Sequence, residues 1–234
     1  LMRGLTFDGV MAEKVKIEEN FLHKLSDTTS FEYAAVAQPC SVALHGVFDN
    51  SNVMPGDVVV VFGPGIIGNV AAQLAKIKGA SIVFLVGVNA DAEMRLPTAE
   101  KMGFISVNAQ QQILDDVIYK YTGKKTVDIV IECSGAASAL NDGIRIIKKG
   151  GYLTILGIYG GKVSIYMTDL VRKEVNIRTS YTSTWKNYED ALNLIGQGIL
   201  DLEPLCTIYN YKDVIQAFQD AINNKVLKPV LNFK

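Results

Sequence analysis

Val58-Val59-Val60-Val61-Phe62-Gly63-Pro64-Gly65-Ile66-Ile67-Gly68 is the stretch that decides how this chain folds. Five consecutive β-branched or aromatic residues cannot make one wet and one dry face, so they predict a strand covered on both sides, as in a parallel sheet between helices. Glycines spaced G-x-G-x-x-G follow at once, and Ile66 to Lys78 then sets Val70, Leu74 and Ile77 at intervals of four and three, one apolar helical stripe. In such a strand-to-helix turn Gly63 permits the tight bend, Gly65 lets a ligand approach the backbone, and Gly68 lets the helix pack close to the strand. The helix start offers free N–H groups and the positive end of its dipole, which suits a pyrophosphate. Strand, loop and helix stand in the order the motif requires, which implies dinucleotide binding rather than a merely structural turn.

The same rhythm runs on along the chain. Ser81 to Val86, Ile105 to Val107, Val127 to Cys133, Tyr152 to Leu156 and Asn176 to Tyr181 read as strands. Met94 to Met102, Gln110 to Tyr121 and Ala136 to Ile147 read as helices between them, with Gly150-Gly151 expected to close the last. Alternating short strands and amphipathic helices predict an α/β fold with a doubly wound parallel sheet of Rossmann type. The ends break the rhythm: Gly4 to Pro39 has mixed short apolar runs, and Tyr188 to Lys234 reads helix, loop, helix, strand. They should pack on the sheet or on a further domain.

The whole chain narrows the partners. Its 234 residues are 49% hydrophobic with a formal net charge of -1, which leaves no basic surplus for a nucleic-acid backbone and favours small molecules. No apolar stretch reaches bilayer length and no secretory leader pattern is seen, so a cytoplasmic location and no membrane partner are expected. Cys40, Cys133 and Cys206 are too widely spaced for a disulfide framework or a complete zinc site and read as buried thiols. His23 falls in a loop-like stretch and His45 in an apolar helix, Ser41 to Val47, where packing roles are expected.

The second strand should end in an acidic residue that holds the adenosine ribose. Gly87 stands there instead, and the next carboxylate is Asp91. With none at the strand tip, repulsion of a 2′-phosphate is absent and Arg95 is a candidate partner for it, which tips the expectation toward NADP. Asp91 reaching back to the ribose hydroxyls would favour NAD. Ser134-Gly135 and Gly157 end later strands, where ligands of open α/β sheets bind.

Asp8-Gly9, Ala12-Glu13, Leu25-Ser26-Asp27, Gln38-Pro39, Pro55-Gly56-Asp57, the Gly63 loop, Arg95-Leu96, Glu132-Cys133-Ser134-Gly135, Gly150-Gly151 and Lys228-Pro229-Val230-Leu231 occur in one order. Together they resemble the zinc-containing medium-chain alcohol/polyol dehydrogenases, especially the sorbitol and threonine dehydrogenase branch. The resemblance covers essentially the whole chain. It implies hydride transfer between a secondary alcohol and the nicotinamide C4, with zinc polarising the alcohol.

By that similarity Gly63, Gly65, Ile66, Ile67 and Gly68 line pyrophosphate and nicotinamide, and Gly87, Asn89 and Arg95 face the adenosine ribose. Ser134 and Gly135 border the adenine, Leu156 and Gly157 approach the nicotinamide ribose, Tyr181 meets the carboxamide region, and Lys228 reaches the phosphates. Gln38 stands where the family commonly has a glutamate on or near the catalytic zinc, which makes it the one metal candidate, although an amide oxygen is a weak zinc ligand. The family's GroES-like segment, with its zinc ligands, is not found here. The resemblance therefore divides the chain into a catalytic-domain remnant at 1–38, a dinucleotide-binding domain at 39–184 and a C-terminal return to the catalytic domain at 185–234. It implies a cofactor-binding portion inactive by itself, and homo-oligomers paired through the sheet edge near Asn176 to Tyr181. Two alternatives stay open: a zinc-independent quinone or enone reductase of the same superfamily, and a non-catalytic dinucleotide-binding module. A methyltransferase also uses a glycine loop, but the repeated strand-helix units suit a dinucleotide better.

Overall fold

The computed structural model describes residue 4 and residues 6–233. Two short helices, α1 (Phe31–Ala34) and α2 (Ala37–Leu44), lead through a π-helical turn (His45–Asp49) to β1 (Val58–Phe62) and α3 (Ile66–Ile77). Then come β2 (Ile82–Gly87), α4 (Arg95–Lys101), β3 (Ile105–Asn108), α5 (Leu114–Thr122), β4 (Val127–Glu132), α6 (Ala137–Ile146), β5 (Ile147–Ile155), α7 (Met167–Lys173) and β6 (Asn176–Thr179). The chain continues with α8 (Trp185–Gly196), β7 (Cys206–Asn210), α9 (Val214–Ile222) and β8 (Lys228–Asn232).

Six strands form one sheet in the order β3-β2-β1-β4-β5-β6, every pair parallel. The order reverses between β1 and β4, and at such a switch point the strand ends open a crevice. Side chains alternate across the sheet as period-two geometry demands. Val59 and Val61 of β1 join α2, α3 and α8 in one core, while Val60 and Phe62 join α5, α6 and α7 in the other. Both faces of β1 are thus covered, which is why its sequence is apolar throughout.

Parts of both ends pack against the sheet domain, while residues 6–28 are mostly exposed. Val36 to Val47 and Ala191 to Leu205 share the core beneath α3, and the His23 ring stacks on Trp185 and Tyr188 at centroid distances of 3.7 and 4.6 Å.

Four expectations are corrected. Gly150-Gly151 does not close α6: the helix passes directly into β5 at Ile147, and Gly150, at φ 71°, sits inside that strand where its register against β4 shifts. The fifth strand is accordingly longer than Tyr152 to Leu156. Residues 110–113 precede α5 rather than belonging to it, because the Asn108 and Gln112 side chains cap a turn there. The run read as a loop between the last two helices contains β7, paired parallel with β8. His45 does lie in a helical stretch, although from His45 to Asp49 the helix is of π type.

Candidate cofactor site

The glycine turn lies where the sheet order reverses. Gly63, at φ 93°, donates its N–H to the Val86 carbonyl of β2 at 2.8 Å, so the turn is hung between two strands. Gly68 shows why a third glycine is needed: a Cβ there would lie 1.9 Å from the Gly63 carbonyl oxygen. Gly65 is the N-cap of α3 and no side chain caps this helix, so the first-turn N–H groups are left for a ligand.

Above this helix end is a cleft of about 330 Å³ lined by Gly63, Pro64, Gly65, Ile66, Ile67, Gly68, Asp91, Arg95, Cys133 and Ser134. Beside it lies a smaller, more apolar cavity of about 140 Å³, whose walls include Phe62, Val86, Gly87, Val88, Asp91, Ala109, Ser134 and Ala139. Gly63, Pro64, Asp91 and Ser134 border both. An elongated ligand with a charged middle and a flat apolar end matches this pair.

The tip of β2 differs from its sequence reading. Asp91 lies in a 3-10 turn that folds back on the strand, its Oδ2 accepting the Val88 N–H at 3.0 Å. That carboxylate oxygen would be 2.8 Å from a Cβ on Gly87. A carboxylate therefore does stand at the strand tip, supplied from four residues downstream, and glycine at 87 makes room for it. Arg95 binds the other oxygen, Nη1 to Oδ1 at 3.1 Å, and its Nε is buried without a partner among the described residues. The expectation that no carboxylate stands at this strand tip does not hold, and the alternative that Asp91 reaches back toward it is the one the turn adopts.

A second anchor, Glu132, ends β4 fully buried. Its Oε1 accepts the Ser134 hydroxyl, the Ser134 N–H at 2.7 Å and the Gly135 N–H at 3.0 Å, and its Oε2 accepts the Tyr159 hydroxyl at 2.7 Å. Burial and the adjacent Glu132 push the Tyr159 hydroxyl up, so it remains a donor. Burial likewise raises the Cys133 thiol, which lines the cleft as a neutral group. The carboxylate ties the turn after β4 to the loop after β5. Gly135 and Gly157 then meet so closely that a Cβ on Gly157 would lie 2.3 Å from the Gly135 nitrogen. Neither Glu132 nor Tyr159 stood out as a site residue in the sequence; a carboxylate directly after the apolar run Ile129-Val130-Ile131 was the available signal.

The structure thus brings Gly63, Gly65, Ile66, Ile67, Gly68, Gly87, Arg95 and Ser134 to one pair of adjoining cavities. Gly135 and Gly157 hold the rim, and Leu156 packs under Gly46 of the π-helical turn. Tyr181 follows β6 and is 72% exposed. Asn89 is engaged elsewhere, its Oδ1 accepting from Asn108 and Gln111. Lys228 lines a separate cavity with Gly9, Val36 and Phe233.

Gln38 is exposed in the first turn of α2, and Cys40, two positions on, is buried with its thiol pushed up to about 12 by desolvation. Among the described residues no group of three or more His, Cys, Asp or Glu side chains could hold a metal ion. These residues do not fit a zinc centre.

A family profile described as zinc-binding dehydrogenase matches residues 67–197, more than half of the chain. The chain belongs to the zinc-binding dehydrogenase family. The D-xylulose reductase of Saccharomyces cerevisiae is 31% identical across 97% of this chain and 64% of its own length. The 2R,3R-butanediol dehydrogenase from Bacillus subtilis superimposes with a TM-score of 0.83 at 27% identity, over 93% of this chain and 62% of that one. A protein of Sinorhizobium meliloti 1021, described as of the zinc-binding dehydrogenase type and bound to NADP, gives 0.82 at 26% identity, over 96% and 66%. The chain spans about 64% of the length of the curated relatives it matches. Among the described residues, no helix is long and apolar enough to cross a membrane.

Proposed function

We propose that this zinc-binding dehydrogenase chain supplies the nicotinamide-dinucleotide site of an alcohol or polyol oxidoreductase. The uncapped start of α3 opening into the glycine-lined cleft carries the proposal. In this reading the pyrophosphate meets the N–H groups of Ile66, Ile67 and Gly68, and the adenosine lies between Gly87 and Ser134. The nicotinamide extends over Leu156 and Gly157 toward Tyr181. Asn89, engaged by the 108–111 turn, and Lys228, in another cavity, are left out of the proposed contacts.

The geometry favours NAD. Asp91 offers a carboxylate where ribose hydroxyls would donate and a 2′-phosphate would be repelled. NADP is the second reading, supported by the Arg95 Nε that lacks a partner beside the cleft and by the NADP in the Sinorhizobium relative.

The relatives' names support a small alcohol or polyol as substrate, reacting by hydride exchange with the nicotinamide C4. No step is assigned to zinc, because the described residues do not fit one. These residues by themselves are proposed to bind dinucleotide without alcohol turnover, to divide at 38/39 and 184/185 as the family resemblance suggests, and to act in the cytoplasm. The edge strand β6, exposed at all four residues, is proposed as a homo-oligomer contact.

Calorimetric titration with NADH, NADPH and S-adenosylmethionine tests the proposal. NADH should bind at one site and more tightly than NADPH, and Asp91→Ser should narrow that preference. Binding of S-adenosylmethionine alone would overturn the dinucleotide reading, and a preference for NADPH would overturn the role given to Asp91.

A further inference from the structure

Asn69 lies one turn into α3 and is fully buried, at a position where the glycine motif itself asks for no amide. Its Nδ2 donates to the Pro64 carbonyl at 2.8 Å and to the Gly65 carbonyl at 3.0 Å, and Gly65 also accepts the Asn69 backbone N–H at 3.0 Å. Its Oδ1 is buried with no hydrogen-bond partner among the described residues. Reversing the amide would set Oδ1 against two carbonyl oxygens, so the donor must face the turn. An orphaned buried acceptor is costly. An apolar side chain would avoid that cost, so the donor must serve something that apolar packing cannot.

What it serves is the direction of two peptide groups. The Gly63 N–H is taken by Val86, the Gly63 carbonyl lies under Gly68, and Pro64 has no N–H to give. The Pro64 and Gly65 carbonyls are the turn's remaining negative ends. Asn69 does not line the cleft, so carbonyls that bond to it point into the protein and away from the ligand space. We infer that Asn69 is a positioning residue that turns these carbonyls inward, so that the glycine turn presents its free N–H groups, and not its carbonyls, to the cleft and selects a diphosphate. The inference rests on the dinucleotide reading above and deepens it.

Two variants remove the donor to Pro64 in different ways. In Asn69→Ser the hydroxyl reaches the Gly65 carbonyl, as serines in helices do, but is too short for Pro64; Asn69→Leu fills the space without a donor. ADP-ribose and adenosine are titrated against the whole chain, with thermal melting as a folding control. The Kd for ADP-ribose should rise about tenfold, a factor worth ~1.4 kcal/mol, while that for adenosine changes less than about twofold. Unchanged ADP-ribose affinity, or proportionate loss of both ligands, would overturn the role of Asn69. If the wild-type chain binds no ADP-ribose, the dinucleotide reading falls and this inference with it. In the wild-type chain with ADP-ribose bound, the Asn69 side-chain amide protons should stay protected from solvent exchange, and rapid exchange would also overturn the inference.

Discussion

Replacing Gly68 by alanine probes the packing that places the helix start. The added Cβ would lie 1.9 Å from the Gly63 carbonyl oxygen, where contacts under 3.0 Å essentially never occur, and the obstacle is backbone rather than a side chain that can swing aside. The start of α3 must therefore retreat from β1 by about 1 Å in an interior as dense as an organic crystal. Overpacking a core costs about 1–3 kcal/mol, and a rigid obstacle belongs at the upper end. For a chain of this size, ~3 kcal/mol lowers the melting midpoint by roughly 6–12 °C. The same retreat carries the first-turn N–H groups off the phosphates, so NADH affinity should fall at least about tenfold. Gly65→Ala is the matched control. Gly65 has φ −76° and nothing within 4 Å of its Cβ position, so an alanine fits the fold but intrudes on the cleft. It should keep its melting midpoint and lose NADH affinity. Circular dichroism melting and NADH titration give both readings. Wild-type melting of Gly68→Ala, or a large loss of stability in Gly65→Ala, would refute the division of labour between the two glycines.

Three further outcomes follow from the polar contacts. Tyr159→Phe removes a donor from the buried Glu132 carboxylate and should cost about 1–3 kcal/mol in urea unfolding; a loss under about 0.5 kcal/mol, the scale of an ordinary surface change, would contradict the anchoring role. Burial works to raise the Asp128 carboxyl, but hydrogen bonds from Lys148 and the Val58 N–H outweigh it and hold the group below its usual range. A depressed carboxyl stabilises the fold above the unfolded value and loses that contribution as pH falls through the folded one. Asp128→Asn should therefore be less stable at neutral pH and show a shallower acid decline; an unaltered decline would count against it. Burial lowers the His23 ring, with Glu189 opposing, so the fold favours the neutral ring and its contribution is lost as pH drops below 6.5. Because Trp185 is the single tryptophan and stacks on His23, its fluorescence should titrate with a midpoint below 6.5. A midpoint at or above that value would mean that burial does not dominate.

The parts of this fold legible in sequence were those set by local pattern. The run at Val58 could only be a strand covered twice, and G-x-G-x-x-G could only follow it as a turn into a helix. What escaped was set by contacts between distant or irregular residues. Gly150-Gly151 has the composition of a helix stop, yet the parallel register with β4 draws the chain into a strand from Ile147 onward. β7 mixes exposed and partly buried positions and owes its existence to pairing with β8, which no local pattern announces. At the site, Gly87 suggested an empty strand tip because the sheet's period assigns that place to the strand's last residue. The 3-10 turn returns Asp91 to the same place, an alternative the sequence left open and the turn's conformation decides. Glu132 was visible as a carboxylate ending the apolar run Ile129-Val130-Ile131, but its four donors come from residues 134, 135 and 159.

The central claim is that a dinucleotide places its phosphates on the start of α3. Backbone amide spectra of the chain titrated with NADH test it most directly. The account predicts the largest shifts at Ile66, Ile67 and Gly68, with smaller ones at Gly87 and Ser134. Saturable NADH binding that leaves those three amides unmoved would contradict it.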